Sequence, residues 1–165
     1  MNLTALSIGS NLGDRERYIK AMERELKLIL SDVRMSRLME TEPVGVYYDQ
    51  PNYLNRIIAG YYSASPQELL SSCLEIEKGL GRRRDKVKDN RTADVDILLF
   101  GDLEINTPEL TIPHPQIINR RFCLEGLSQI DKGWIVQGVS KSIEKLCEEM
   151  NAEVRAQNVL FIEVK

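Results

Sequence analysis

Two acidic residues open an otherwise apolar run in this chain, Asp94-Val95-Asp96-Ile97-Leu98-Leu99-Phe100. Residues two apart in a β-strand point to the same face, so a strand here would set both carboxylates side by side. Paired negative charges at the mouth of a core strand are costly unless a cation neutralises them. Mg²⁺ is suited to this task, because it binds one or two carboxylates together with waters and substrate phosphates. The run predicts a core strand that begins at a metal site, against the alternative of a solvated strand edge.

Six basic residues lie within residues 82–91, directly before this run. A run of charge is usually a solvated surface. Beside an acid pair, however, guanidinium groups match phosphate oxygens, and a loop that carries them could close over a triphosphate and exclude water. The two features together predict a site for Mg²⁺ and a polyphosphate.

The length of 165 residues predicts one domain, residues 1–165, with a proper core. The net charge of −3 argues against a nucleic-acid-binding face, and no apolar run of about 18 residues predicts a membrane span. The first residues lack the pattern of a signal peptide. Cys73, Cys123 and Cys147 are widely spaced, so we expect reduced thiols in a cytoplasmic protein.

Apolar periodicity predicts both strands and helices along the chain. Strands are expected over residues 3–8, 33–39, 53–62, 94–100, 103–105, 134–136 and 159–164, and helices over 14–30, 65–80, 117–130 and 142–150. Ser65, Pro66 and Glu68 form a helix-start signal with a capping box. The order predicts an α+β fold, a ferredoxin-like sandwich with a βαββαβ core, helices on one face of a mainly antiparallel sheet, and an α-rich C-terminal extension.

His114 lies between two prolines in a stiff loop. It is either a hydrogen-bonded structural histidine or a donor to a phosphate oxygen or nucleotide. The glycine-rich residues 9–14 do not match a P-loop, and a turn with a helix cap is the favoured interpretation.

Tyr53, Asn55 and Phe122 are the remaining candidates for a binding site. Aromatic residues at strand starts belong to the core more often than to ligand platforms. Two aromatic side chains from distant segments could nevertheless clamp a flat ring, with the amide of Asn55 contacting its edge.

Four ordered blocks resemble a known family. They are Ile8-Gly9-Ser10-Asn11-Leu12-Gly13-Asp14; Gln50-Pro51-Asn52-Tyr53-Leu54-Asn55; Glu77 with Gly81-Arg82 and then Arg91-Thr92-Ala93-Asp94-Val95-Asp96-Ile97-Leu98; and Pro113-His114-Pro115 followed by Arg120-Arg121-Phe122-Cys123-Leu124. The family is 6-hydroxymethyl-7,8-dihydropterin pyrophosphokinase, an enzyme of folate biosynthesis. The resemblance covers roughly residues 5 to 130.

The resemblance implies transfer of pyrophosphate from ATP, the co-substrate, to the pterin hydroxymethyl group, giving AMP and the pterin diphosphate. Two Mg²⁺ ions are expected on Asp94 and Asp96. The expected partners are ATP and the pterin, with no nucleic acid and no membrane, and the chain is expected to be a monomer or a weak homodimer.

The resemblance also implies roles for individual residues. The implied catalytic residues are Arg82, Arg91, Asp94 and Asp96. The implied pterin-binding residues are Thr41, Val44, Gly45, Tyr53, Asn55 and Phe122. The implied ATP-binding residues are Glu77, Arg82, Arg84, Arg91, Ile97, Thr111, His114 and Arg120.

The chain departs from the family pattern at Lys88-Asp89-Asn90, where many members carry Arg-Trp-Gly-Pro. We expect slower or less complete loop closure with the chemistry intact. Glu109 stands where some relatives carry an arginine, which removes a cationic contact. The stretch after Trp134 carries no functional motif and is expected to be scaffold.

Two other classes of protein share parts of this pattern. A polymerase-palm nucleotidyltransferase also uses paired carboxylates, but it needs a third acid and a basic template-binding face. An RNA-recognition module would place aromatic residues on two central strands and would tolerate loss of the acid pair.

Overall fold

The computed structural model of the chain describes residues 1–44, 49–81 and 92–163. Ten strands and five α-helices are present in these ranges, with a 3₁₀ turn at Ile117–Asn119. In chain order the elements are β1 (Asn2–Ser10), α1 (Arg15–Ile29), β2 (Ser31–Met35), β3 (Leu38–Thr41), β4 (Tyr53–Tyr62), α2 (Pro66–Gly79), β5 (Asp94–Phe100), β6 (Ile105–Asn106), β7 (Thr111–Ile112), α3 (Arg121–Ile130), β8 (Ile135–Val136), β9 (Lys141–Ser142), α4 (Ile143–Glu148), α5 (Ala152–Arg155) and β10 (Val159–Ile162).

The main sheet has six strands in the order β10-β3-β4-β1-β5, and β2 also pairs with β4. Every pairing in it is antiparallel. The two short hairpins, β6–β7 and β8–β9, lie outside this sheet. The predicted α+β class with a mainly antiparallel sheet is therefore confirmed.

Side-chain caps set the starts of the first two helices. The Asp14 carboxylate accepts a hydrogen bond from the backbone N–H of Arg17 at 3.2 Å, which begins α1. Ser65 and Glu68 form the predicted reciprocal capping box at the start of α2. These caps satisfy N–H groups that a helix leaves without intrahelical partners.

Helices cover both faces of the sheet. Leu6 and Ile58 belong to a core shared with α1 and α2, whereas Ala5 and Ile57 belong to a second core shared with α3 and α4. The prediction that helices lie on one face is wrong. Most residues of β1 and β4 are buried, so neither face of the sheet is open to solvent along these strands. The helices of the C-terminal extension pack on the second face.

The expected strand over residues 33–39 is two strands. Ser36 separates β2 from β3, because its backbone N–H donates to the Ile57 carbonyl while its hydroxyl accepts from the Ile57 N–H, both at 2.9 Å. A side chain thus replaces one backbone group of the ladder.

Other predicted bounds also shift. The helix expected over residues 117–130 is a 3₁₀ turn followed by α3, and the strand expected over 103–105 is β6, paired with β7 in the proline-rich loop. The short helix α5 was missed. No helix in the described ranges is long and apolar enough to cross a membrane.

Candidate active site

One end of the sheet presents a row of polar residues across neighbouring strands. Asn55 on β4 pairs with Gly9 on β1, and Gly9 pairs in turn with Asp94 on β5. Thr41 on β3 lies opposite Tyr53, two residues from Asn55 on the same face. This is the face of the second core, since Ile57 lies two residues further along β4. Helix α3 covers the rest of that face and leaves this end open.

Gly9 contributes no side chain to this row of polar residues. A Cβ at Gly9 would lie 2.5 Å from the Asn55 Oδ1 atom, which is too close without displacement. The Asn55 side chain therefore leans into the space of the missing side chain, and its Nδ2 donates to the Thr41 hydroxyl at 2.6 Å. Residues 9–14 were predicted to form a turn and helix cap; Asp14 does cap α1, but Gly9 belongs to β1 and makes room for Asn55.

Asp94 and Asp96 open β5 on the same face of the sheet, because Val95 and Ile97 pack in the opposite core. The Asp96 carboxylate lies 3.8 Å from the Arg120 guanidinium. In the described residues no group of three or more His, Cys, Asp or Glu side chains converges on a metal position. Two carboxylates suffice for Mg²⁺ when phosphates and waters complete its shell, so the pair fits that ion.

A buried carboxylate fixes the backbone between these two acids. Glu77, on α2, is only 1% exposed and accepts a hydrogen bond from the backbone N–H of Val95 at 2.8 Å. Glu77 was expected to support the nucleotide side of the site. Its observed contact is with the strand that carries Asp94 and Asp96.

A pocket lies over the row of polar residues. It is lined by every described residue expected to bind the pterin, namely Thr41, Val44, Tyr53, Asn55 and Phe122. Asp94, one acid of the predicted metal pair, and Arg120, a predicted ATP contact, also line it. Phe122 stands in the first turn of α3, and Tyr53 begins β4. Residues far apart in the chain thus meet at one concave site.

His114 lies close to the charged part of the site. Its Nδ1 atom accepts a hydrogen bond from the backbone N–H of Gln116 at 3.1 Å, and the backbone N–H of His114 donates to the Leu98 carbonyl of β5 at 2.9 Å. Burial, followed by the positive charge of nearby Arg120, lowers the pKa of His114 to about 4, against a smaller opposing effect of Asp94. The side chain is therefore a neutral imidazole at pH 7, and its proton is on Nε2 because Nδ1 is an acceptor.

The other two predicted ATP contacts lie near this loop. Thr111 belongs to β7 and precedes His114 by three residues, whereas the Ile97 side chain is buried in the core with α1 and α2. A nucleotide contact at Ile97 would thus have to use its backbone.

Phe122 and the segment 41–44 also form one wall of a second cavity. The C-terminal segment supplies the opposite wall, through Glu153, Ala156 and Gln157 among others. This second cavity adjoins the first pocket through Phe122 and the segment 41–44.

Several predicted residues lie outside the described ranges. These are Gly45, Arg82, Arg84 and Arg91, together with the Lys88-Asp89-Asn90 run that departs from the family pattern. Glu42, Pro43 and Gln50 also line the pocket, although none of them was named individually as a site residue. The resemblance had indicated their segments, through backbone groups near residues 41–45 and through the block that begins at Gln50.

The family model described as 7,8-dihydro-6-hydroxymethylpterin-pyrophosphokinase matches residues 5–132. A 2-amino-4-hydroxy-6-hydroxymethyldihydropteridine pyrophosphokinase of Bacillus subtilis is 40% identical over 131 residues, which is 78% of either chain. A protein of the same name from Synechocystis is 32% identical over 148 residues, or 88% of this chain and 75% of the relative.

The fold resembles the crystal structure of wild-type Plasmodium falciparum HPPK-DHPS with pteroate. The TM-score is 0.74 at 15% sequence identity, and the match covers 99% of this chain. It covers 46% of the other chain, so this chain spans about half the length of that structural neighbour. At this identity the likeness shows the fold alone.

Proposed function

This chain belongs to the 7,8-dihydro-6-hydroxymethylpterin-pyrophosphokinase family, and from that membership we propose how its own residues perform the reaction. The protein is an ATP-dependent diphosphotransferase of folate biosynthesis that acts on 6-hydroxymethyl-7,8-dihydropterin. The hydroxymethyl oxygen attacks the β-phosphorus of ATP, and the bond from that phosphorus to the α-phosphate oxygen breaks. The products are AMP and the pterin diphosphate. The same membership decides against the polymerase-palm and RNA-recognition alternatives.

The observation that carries the assignment of residues is the row of Thr41, Asn55, Gly9 and Asp94 beneath one pocket. Neighbouring strands lie about 4.8 Å apart, so Asn55 and Asp94, two strands apart, are separated by roughly 10 Å. That distance suits a bicyclic ring held at one end, with its hydroxymethyl group directed toward the acid pair. Gly9 supports this arrangement because no side chain rises between the two.

We assign pterin binding to Thr41, Val44, Gly45, Tyr53, Asn55 and Phe122. Tyr53 and Phe122 would stack on the ring, where aromatic contacts add to burial of a flat surface. The Asn55 Nδ2 is engaged by Thr41 at 2.6 Å, which fixes the amide and leaves Oδ1 to accept from the donor edge of the pterin.

Asp94 and Asp96 are the proposed holders of two Mg²⁺ ions. When bound, the metal supplies charge neutralisation at the attacking and leaving oxygens. Arg120, 3.8 Å from Asp96, is placed to contact the same phosphate groups and to limit the repulsion between the two acids. The positive charges of Arg82, Arg84 and Arg91 support their proposed roles at the triphosphate.

His114 is proposed to donate a hydrogen bond to ATP from Nε2. Its neutral state and its acceptor role at Nδ1 support this direction of donation. Thr111 and the backbone of Ile97 complete the proposed nucleotide side, and Glu77 fixes the strand beneath it.

Three broader assignments belong to the same proposal. The strand order, with β1 and β4 central and α1 and α2 on one face, supports the ferredoxin-like description of the core. Cys73, Cys123 and Cys147, all within the described ranges, form no disulfide bond, which supports a cytoplasmic location. A single domain over residues 1–165 is proposed from the chain's length, and a monomer or a weak homodimer is proposed as its state in solution.

The test is AMP production from ATP by the purified protein. AMP should form only when Mg²⁺ and 6-hydroxymethyl-7,8-dihydropterin are both present. Single-turnover kinetics with bound substrates then shows whether the chemical step occurs at all, apart from substrate binding and product release. A folded protein that binds pterin but forms no AMP even in a single turnover would contradict the proposal of intact chemistry.

Binding measurements test the pterin residues separately. Phe122→Ala should weaken binding of the pterin more than binding of ATP. Equal losses for both ligands would show that Phe122 does not stack on the pterin.

A further inference from the structure

We propose that Gln157 is a positioning residue for the pterin pocket, a role that rests on the proposed stacking of Phe122. Gln157 lies beyond residues 5–132, the part of the chain that matches the family model. It belongs to the segment after Trp134 that the sequence marked as scaffold. The contacts of this segment connect the two walls of the pocket.

Gln157 caps the helix that carries Phe122. The backbone N–H of Arg121, the first residue of α3, donates to the Gln157 Oε1 atom at 2.9 Å. The Gln157 Nε2 atom donates to the Asn119 carbonyl at 2.8 Å, just before the helix. The residue at the N-cap position, Arg120, makes no side-chain cap, and the acceptor for the first N–H of the helix comes from a residue that is distant in the chain.

The Arg121 side chain strengthens the same link. Its guanidinium donates to the carbonyls of Arg155 at 2.9 Å and Gln157 at 3.2 Å. The start of α3 is therefore joined to the chain around Gln157 by both backbone and side-chain hydrogen bonds.

The residues that follow Gln157 hold the opposite wall. The Asn158 amide donates to the Glu42 carboxylate at 2.5 Å, and Val159 pairs with Thr41 in the β10–β3 ladder. Thr41 and Glu42 line the pterin pocket, as does Phe122. Residues 157–159 thus tie the segment at Thr41 to the first turn of α3.

The position of Phe122 relative to Asn55 depends on this tie. Asn55 is fixed within the sheet by Thr41, whereas Phe122 stands at a helix end that no local cap holds. Without Gln157 the first turn of α3 loses an N-terminal hydrogen bond, and end turns of helices fray readily. A less ordered Phe122 ring would stack less well on the pterin. Arg120 lies between the two residues that Gln157 binds, so its contact with ATP would weaken as well, whereas His114 and Thr111 would keep theirs.

The test uses Gln157→Met, which keeps the side-chain length and removes both amide hydrogen bonds. We expect pterin binding to weaken by about tenfold, equivalent to about 1.4 kcal/mol, and ATP–Mg²⁺ affinity to fall clearly less, by about two- to threefold through Arg120. Hydrogen exchange at the Arg121 amide of the ligand-free protein should become faster. Gln157→Glu retains an acceptor for Arg121 and should recover most of the pterin affinity.

Leu160→Ala is the control, since Leu160 lies three residues after Gln157, on β10, and its side chain is exposed. It should change neither the exchange rate nor pterin binding. Faster exchange at Arg121 with unchanged pterin affinity would overturn the inference, as would equal loss of pterin and ATP binding.

The Phe122→Ala variant separates this inference from the stacking proposal on which it rests. If Phe122→Ala also leaves pterin affinity unchanged, the stacking site itself fails. If Phe122→Ala weakens pterin binding and Gln157→Met does not, only the role of Gln157 fails. Should Gln157→Met not fold, Gln157→Asn, whose side chain is one methylene shorter and cannot keep both bonds, is compared with Leu160→Ala by the same two readouts.

Discussion

The Glu77 carboxylate accepts a hydrogen bond from the backbone N–H of Val95, the residue that separates Asp94 from Asp96. Glu77 is almost wholly buried on α2, and this bond joins the helix to the start of β5, the strand that bears the proposed metal ligands. The direction of both acids therefore depends on a helix that packs on the opposite face of the sheet.

Replacing Glu77 should affect stability and metal-dependent activity together. Glu77→Ala leaves the buried Val95 N–H without this acceptor and should lower the free energy of unfolding by about 1–3 kcal/mol. Glu77→Gln keeps an oxygen acceptor and should cost less. Denaturant unfolding and the Mg²⁺ dependence of AMP formation measure the two effects. Glu75→Ala, at an exposed position on the same helix, is the control; a loss as large as that of Glu77→Ala would contradict the role of the buried bond.

Gly9→Ala should disturb the pterin side of the site. The new Cβ would lie 2.5 Å from the Asn55 Oδ1 atom, so the amide must move and its bond to Thr41 must weaken. Overpacking of this kind costs about 1–3 kcal/mol of stability. The KM for the pterin should rise while the KM for ATP changes little. Gly79→Ala, where a Cβ meets no atom within 4 Å, should alter neither constant.

His114 should stay neutral far below the usual pH range of histidine. It is the only histidine in the chain, so its NMR signals titrate without overlap. We expect a midpoint near pH 4, because burial and Arg120 lower its pKa to about 4 from 6.5. A midpoint near the ordinary value of 6.5 would contradict the buried, neutral assignment.

The same shift makes a prediction for stability. Between pH 6.5 and about 4 the unfolded chain binds a proton at His114 that the folded chain does not. Stability from this residue is therefore complete above pH 6.5 and is lost as the pH falls toward 4. Urea unfolding across that range should show a shallower loss in His114→Gln than in the parent protein, and parallel curves would exclude His114 as a cause.

Asp94→Asn and Asp96→Asn should each lower the rate of transfer by at least about 10²-fold, the scale of losing one group that stabilises transition-state charge. Both acids are partly exposed at the end of the sheet, so thermal unfolding should change little. Addition of a chelator to the parent protein should reproduce the loss, and Mg²⁺ should restore it. Asp102→Asn, an exposed acid just beyond β5, is the control, and unfolding of the Asp94 or Asp96 variant would indicate a structural role instead.

Sequence reasoning recovered features that are local in the chain. The Asp94–Asp96 spacing fixes a shared face on any strand, and the Ser65–Glu68 box fixes a helix start. It also named Tyr53, Asn55 and Phe122, which the fold brings to one pocket. For these three residues the residue types alone left a role in the core open, and only the resemblance to a family favoured ligand binding.

The missed features depend on partners distant in the chain. Gly9 looked like part of a turn because its neighbour Asn55 is brought beside it only by strand pairing. Ser36 breaks a strand by bonding to Ile57, and no local pattern announces that bond. Gln157 caps a helix from the far side of the C-terminal extension, whereas cap signals in a sequence are sought next to the helix they begin.

The second cavity, behind Phe122 and the segment 41–44, has a consequence for selective inhibition. A compound that reached from the pterin pocket past Phe122 would contact residues 153–159, outside the part of the chain that matches the family model. Its affinity would then depend on side chains such as Glu153 and Gln157, which the shared catalytic signature does not specify. A ring that mimics the pterin would bind members of the family in general, and an extension into the second cavity would give the inhibitor selectivity for this member.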